Sequence, residues 1–234
     1  MTHAEVCDAG FAIERAAHAR LEHFIALLLA ENERANLTAA RDAATLWRAH
    51  VLDSLALMPQ LREARVGRLI DVGCGGGLPG LPLACALPAL AVTLLDATGK
   101  KVAAVERIAA ALGLANVRGI HARAEEAAHD AALRESFDAA VARAVAPLAV
   151  LIEYCAGFVR PMGWLWFMKT RSALEIEIPA AASAAKACGV ELRDARDYAL
   201  PGEAPGRAIL ACQRTRALDP RLPRRAGAAT RRTL

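Results

Sequence analysis

Residues 68–87 read RLIDVGCGGGLPGLPLACAL. A short apolar run ending at Val72 gives way to five glycines and two prolines, then to an apolar stretch of helical character. A strand that passes through a glycine turn into a helix is the opening unit of a βαβ sheet, and such turns hold ligands. Residue types narrow the ligand. A P-loop needs a lysine and a hydroxyl residue after its last glycine, and neither is present. A G-x-G-x-x-G frame runs through Gly75, Gly77 and Gly80, but Pro79 and Pro82 each remove a backbone N–H from the helix start, where a pyrophosphate would be held. A third frame, Asp71-x-Gly73-x-Gly75-x-Gly77, sets a carboxylate at the strand end and glycines at alternate positions. That arrangement suits a ligand with an ammonium, a carboxylate and a sulfonium, which is S-adenosylmethionine.

Outward from this stretch, short apolar runs alternate with helical segments. RLIDV, AVTLLD, NVRGI, FDAAVA and GWLWFMK read as strands, and PGLPLACAL, GKKVAAVERIAAAL, APLAVLIEYCAGFV and SALEIEIPAAASAAKA as helices. Alternation of this kind gives a parallel sheet covered on both faces. VELRDARDYAL and GRAILACQR follow with no helix between them, so they form an antiparallel edge. Upstream, Leu21, Ile25, Leu28 and Leu29 recur at helical spacing, and DAATLWRAHVLDSLALM forms a second helix, capped by Asp42 and closed by Pro59. The expected fold is therefore α/β: a mostly parallel sheet with an antiparallel edge, behind an N-terminal helical extension. Residues 1–62 form that extension, 63–213 the main domain and 214–234 a basic C-terminal tail.

Composition bounds the rest. No apolar run among the 234 residues approaches the ~20 needed to span a bilayer, and the first ten residues lack a secretory pattern, so a cytoplasmic protein is expected. The six cysteines fall at scattered spacings with no C-x-x-C, which suggests reduced thiols and no metal site. The net charge of +4 is uneven: residues 214–234 hold seven arginines against Asp219 alone, leaving the body slightly acidic. A basic tail on a near-neutral body points to a polyanion met at one place. The tail is expected to serve RNA affinity, apart from a cofactor pocket assembled before residue 170; packing over the sheet edge near GRAILACQR, to order the substrate side, is the alternative.

Downstream residues agree with the glycine frame. Asp96 ends the second strand, where its carboxylate can take both ribose hydroxyls; an acid there serves a dinucleotide equally, so it does not discriminate alone. HARAEEAA, after the third strand, places Ala124 and Glu125 where backbone and carboxylate can meet an adenine edge.

With these pieces in order the chain resembles the bacterial small-subunit ribosomal RNA guanine-N7 methyltransferases, also called glucose-inhibited division protein B. The resemblance rests on NLTAARD and HVLDSL ahead of the glycines, then DVGCGGGLPGLPLA, LLDATGKKVA, RAEE, ARAVAPL, the lysine of FMKTR and the closing PRRAG. It implies a Rossmann-like class I S-adenosylmethionine-dependent methyltransferase fold over residues 63–213, with cofactor contacts through Gly73, Leu78, Ala124, Glu125 and Arg143, to which the residue reading adds Gly75 and Asp96. Thr170 stands where the family usually has glycine, and Cys74 and Gly76 replace commoner small residues.

The fourth strand is not followed by the Asn- or Asp-Pro-Pro-aromatic turn of exocyclic-amine methyltransferases, and no cysteine lies near for a carbon-5 cytosine mechanism. Guanine N7 has a free lone pair, so a site built by positioning needs no general base. Arg143 is placed to hold guanine, a phosphate or the cofactor. Lys169, Arg224 and Arg225 are candidate RNA contacts, and His50, Asp53 and Ser54 share one helical face as a docking cluster. Aromatics make up 4% of the chain, which favours one unstacked guanine over a many-base platform. The expected partner is small-subunit ribosomal RNA or the ribosomal subunit, met by a monomer without membrane or metal. A methyltransferase for another RNA or a small molecule, and a non-catalytic nucleotide- or RNA-binding module, remain alternatives.

Overall fold

The computed structural model describes residues 1–234. Seven strands form one sheet: β1 (Arg68–Val72), β2 (Ala91–Asp96), β3 (Val117–His121), β4 (Phe137–Arg143), β5 (Val159–Thr170), β6 (Val190–Tyr198) and β7 (Arg207–Arg214), in the order β3-β2-β1-β4-β5-β7-β6. β1 to β5 pair in parallel, while β7 runs antiparallel to both β5 and β6. The strand order reverses between β1 and β4, and in open α/β sheets ligands bind at the strand C-termini beside such a reversal.

Alternation along the strands sends side chains to two apolar layers. Leu69, Leu94, Val141 and Trp166 enter a 38-residue cluster, and Ile70, Leu95, Ala142 and Phe167 a 30-residue cluster on the other face. The helices are α1 (His3–Asp8), α2 (Arg15–Ala35), α3 (Ala43–Leu46), α4 (Leu52–Leu55), α5 (Met58–Glu63), α6 (Gly80–Ala86), α7 (Gly99–Ala111), α8 (Ala124–Ala127), α9 (Leu148–Ala156), α10 (Arg171–Ala180), α11 (Ala182–Ala187) and α12 (Ala228–Arg231). Leu21 and Phe24 of α2, Leu46 of α3 and Leu55 of α4 belong to the larger cluster, so the N-terminal helices share one core with the sheet.

Two local expectations are corrected. Pro59 does not close the second helix: it stands in the first turn of α5, where its missing N–H would have had no helical partner. The second helix itself is interrupted by a π-turn over Trp47–Val51 between α3 and α4. Asp42 accepts from Thr45 N at 2.8 Å and caps α3. Asn32, whose role the sequence did not suggest, accepts from Leu37 N (2.7 Å) and Thr38 N (2.9 Å) and fixes the loop after α2. That loop meets the glycine turn, since a Cβ on Gly76 would come within 3.1 Å of the Leu37 carbonyl.

The basic tail is folded onto the domain. Arg214 is fully buried and donates to Glu135 and to the Val159 carbonyl. Leu218 and Leu222 join the smaller apolar cluster, and Arg134 donates to the Leu222 carbonyl at 2.9 Å. The arginines dominate a charge count, but the apolar residues between them determine where the segment packs.

Candidate active site

The glycine turn follows β1. Gly73, Gly75 and Gly77 take φ values of 77°, 54° and 80°, the left-handed region that glycine enters at no steric cost. Gly73 also has no space for a side chain, because its Cβ would stand 2.6 Å from Val145 Cγ2. Asp96, at the end of β2, accepts from Gly75 N (3.0 Å) and Thr98 N (2.8 Å). It thereby ties the glycine turn to the second strand before meeting any ligand. Asp71, fully buried in β1, accepts from Gly80 N at 2.8 Å, while its other oxygen has no partner. Burial pushes its carboxyl up to about 7, against the lowering effect of the Gly80 N–H.

Two cavities open at this edge of the sheet. The first, of about 120 Å³, is lined by Gly73, Asp96, Ala124, Glu125, Val145 and Tyr154, among others. The second, of about 470 Å³, is lined by His50, Asp53, Arg143, Lys169, Tyr198 and Arg207, among others. The chain between them leaves β4 through Ala144, which holds a left-handed φ of 56°. Arg143 and Val145 flank it and line opposite cavities.

The sequence-predicted residues divide accordingly. Gly73, Asp96, Ala124 and Glu125 come together around the smaller cavity, and Gly75 adjoins them through its bond to Asp96. Leu78 is buried in the larger apolar cluster and lines neither cavity. Arg143 lines the larger cavity, where it donates to Asp53 Oδ2 at 2.5 Å and stands 3.5 Å from His50 Nδ1. Lys169 is in the same cavity, bonded to the Ala146 carbonyl at 3.0 Å and paired with Glu177 at 2.7 Å. Arg224 lies elsewhere, on Glu153 of α9, and Arg225 is exposed nearby.

Asp53 is the hub of the larger cavity. Its second oxygen accepts from Tyr198 Oη (2.6 Å) and Arg207 (3.0 Å), so an N-terminal helix binds β4, β6 and β7 at one carboxylate. Burial, the Asp53 charge and the bond to it push the Tyr198 phenol well above its usual range. Burial first, and then the Arg143 charge, pull His50 below the ordinary imidazole value, keeping it neutral near pH 7. Ser54 donates to the His50 carbonyl at 2.6 Å, within the helix. Tyr198 and Arg207 were missed in the sequence; the one available signal was their position at adjoining ends of the last two strands. Cys155 is fully buried in α9, and burial raises its thiol far above neutrality, which leaves it unsuited as a nucleophile.

The smaller cavity fits S-adenosylmethionine in kind. Gly73 lines it in a left-handed conformation that no side-chain residue adopts cheaply, and Asp96 and Glu125 present carboxylates able to accept from hydroxyl and amino groups. Sheet order, glycine turn and acidic strand ends define a class I S-adenosylmethionine-dependent methyltransferase. The S-adenosylmethionine-dependent methyltransferase SibL, solved in its apo form, has the same fold, with a TM-score of 0.52 at 21% identity over 70% of this chain and 55% of that one.

Residues 17–198 match the family described as GidB, rRNA small subunit methyltransferase G, and the chain belongs to that family. A relative from Moorella thermoacetica named ribosomal RNA small subunit methyltransferase G is 37% identical over 227 residues, covering 97% of this chain and 94% of its own. One of the same name from Sorangium cellulosum is 47% identical over 167 residues, covering 71% and 70%. No helix is long and apolar enough to cross a membrane.

Proposed function

We propose that the chain transfers a methyl group to N7 of a guanine in small-subunit ribosomal RNA, acting as a cytoplasmic monomer on the RNA or the ribosomal subunit. The observation that carries the reading is the pair of cavities on either side of Ala144, one with the Asp96 and Glu125 carboxylates and Gly73 and the other with three cations. S-adenosylmethionine supplies an electrophilic methyl group when bound. Gly73, Asp96, Ala124 and Glu125 hold it at the ends of β1 to β3, with Gly75 fixing Asp96. The nucleotide enters the larger cavity, where Arg143, Lys169 and Arg207 face its oxygens and phosphate.

N7 carries its lone pair outside the aromatic system, so attack needs no prior deprotonation. Every carboxylate near the larger cavity is engaged, Asp53 by Arg143, Tyr198 and Arg207 and Glu177 by Lys169, and neutral His50 bears no charge against the developing methylguanine cation. This is a site that positions and desolvates. The family membership supports ribosomal RNA as the acceptor over a small molecule.

The test is methyl transfer from labelled S-adenosylmethionine to ribosomal RNA from a strain lacking the gene, with nucleosides mapped by mass. 7-Methylguanosine at one position is expected. Label at a carbon or exocyclic amine, or only in small molecules, would overturn the reading.

A further inference from the structure

The C-terminal segment reaches the cofactor cavity from behind. Gly227, with a φ of 73°, donates its N–H to Glu125 Oε1 at 2.8 Å. Glu125 is 5% exposed and lines the cavity with Tyr154, whose phenol is pushed up to about 12 by burial and then by the Glu125 charge. A carboxylate this buried needs its donors, because an unsatisfied charged acceptor carries the full cost of desolvation.

The segment is seated firmly enough to supply that donor. Arg224 gives three bonds to Glu153, from its backbone N (2.8 Å), Nε (2.9 Å) and a terminal nitrogen (2.7 Å), and Glu153 is 1% exposed in α9. His129 Nε2 lies 2.7 Å from the Pro223 carbonyl. Gly157, just after α9, lets Pro223 approach, since a Cβ there would stand 3.2 Å from Pro223 Cδ. The chain is thus clamped at residues 223 and 224, three residues before the N–H that meets Glu125.

We infer that residues 223–227 are a positioning element of the cofactor pocket: Arg224 anchors the segment on Glu153 so that the Gly227 N–H fixes the Glu125 carboxylate for the adenosine end of S-adenosylmethionine. This rests on the proposed contact between Glu125 and the cofactor, and it reverses the expectation that the tail serves RNA alone.

The test is a double-mutant cycle read by calorimetry with S-adenosylhomocysteine. Deletion of residues 224–234 and Glu125→Ala are made singly and together, with Arg224→Met as a milder counterpart to the deletion, and thermal melts run on each. The deletion should weaken binding at least tenfold in the parent and less than twofold in Glu125→Ala, and Arg224→Met should follow the same pattern with a smaller factor. Equal weakening in both backgrounds, or none in the parent, would overturn the inference. If the deletion variant does not fold, the Arg224→Met pair decides by the same criterion. Should Glu125→Ala bind as tightly as the parent, the contact between Glu125 and the cofactor fails, and the inference falls with it.

Discussion

Asp53 and Arg143 are 90 residues apart in sequence and 2.5 Å apart in space, and they join the N-terminal helices to the end of the fourth strand. The pair is nearly dry, with side chains 2% and 14% exposed. Removing one member of such a pair leaves an uncompensated charge, a loss of roughly 3–5 kcal/mol. Asp53→Ala is therefore expected to lower unfolding free energy by about that amount, because Tyr198 and Arg207 lose the same acceptor. Urea titration measures it. A change within experimental error would show that the hub does not hold the extension in place.

Arg143 should matter for turnover and little for cofactor binding. Its two terminal nitrogens reach Asp53 and His50 at once, a fork that lysine cannot reproduce. For Arg143→Lys, the loss of a charge-assisted contact is worth about 1.5–3 kcal/mol, or roughly 10- to 100-fold in kcat. The affinity for S-adenosylhomocysteine should stay within about twofold, since Arg143 lines the other cavity. Weakened cofactor binding with unchanged kcat would instead favour the contact that the family resemblance implies.

Asp96 and Gly73 carry the opposite signature. Asp96→Ala removes the acceptor of both Gly75 N and Thr98 N, so the glycine turn loosens as the ribose partner goes. Gly73→Ala places a Cβ 2.6 Å from Val145 Cγ2 on a backbone with φ 77°. Each should weaken cofactor binding by about tenfold or more, at roughly 1.4 kcal/mol per decade. Adding Val145→Ala should recover part of the Gly73→Ala loss and none of the Asp96→Ala loss. Equal behaviour of the two double variants in equilibrium dialysis would remove Val145 from the account.

Asp71 predicts a pH dependence. Its folded carboxyl is raised from 3.8 to about 7, so between those values the native state keeps a proton that the unfolded chain has released. The stability this contributes is fully present below 3.8 and is lost as pH rises through about 7. Asp71→Asn does not titrate. Its melting temperature relative to the parent should therefore rise between pH 3.8 and about 7 and level off above that, and a difference independent of pH would contradict the protonated carboxyl.

What the sequence disclosed follows the range of the interactions involved. The glycine frame after β1, the strand alternation and the Asp42 cap depend on neighbours a few residues away, and each is readable from spacing. Asp53 could be seen only as one of three polar residues on a helix face, because its partners come from strands ending at residues 143, 198 and 214. The packing of the tail is less legible for a different reason. Counting arginines treats them as one class, yet Arg214 is wholly buried and Arg224 is clamped on Glu153, while Leu218 and Leu222 pack into the core. Which charges are free is a tertiary property.

That division sharpens the RNA prediction. Arg225, Arg231 and Arg232 are exposed, and none of their side chains makes an ion pair. With Arg216, which is exposed and gives only a bond to the Lys186 carbonyl, they are the tail cations without a carboxylate partner, whereas Arg214 and Arg224 are committed inside the protein. Each phosphate contact releases counterions and steepens the salt dependence of binding by roughly 0.7–0.9 in the slope of log K against log salt. Replacing Arg225, Arg231 and Arg232 with glutamine should weaken RNA binding uniformly across sequences and flatten that slope by about two. Melting temperature and S-adenosylhomocysteine affinity should not move, because the substituted side chains hold neither Glu125 nor the core. Filter binding across a salt series on the parent and the triple variant measures both terms. An unaltered slope would mean that the RNA is met elsewhere, most directly at Arg143, Lys169 and Arg207 in the larger cavity.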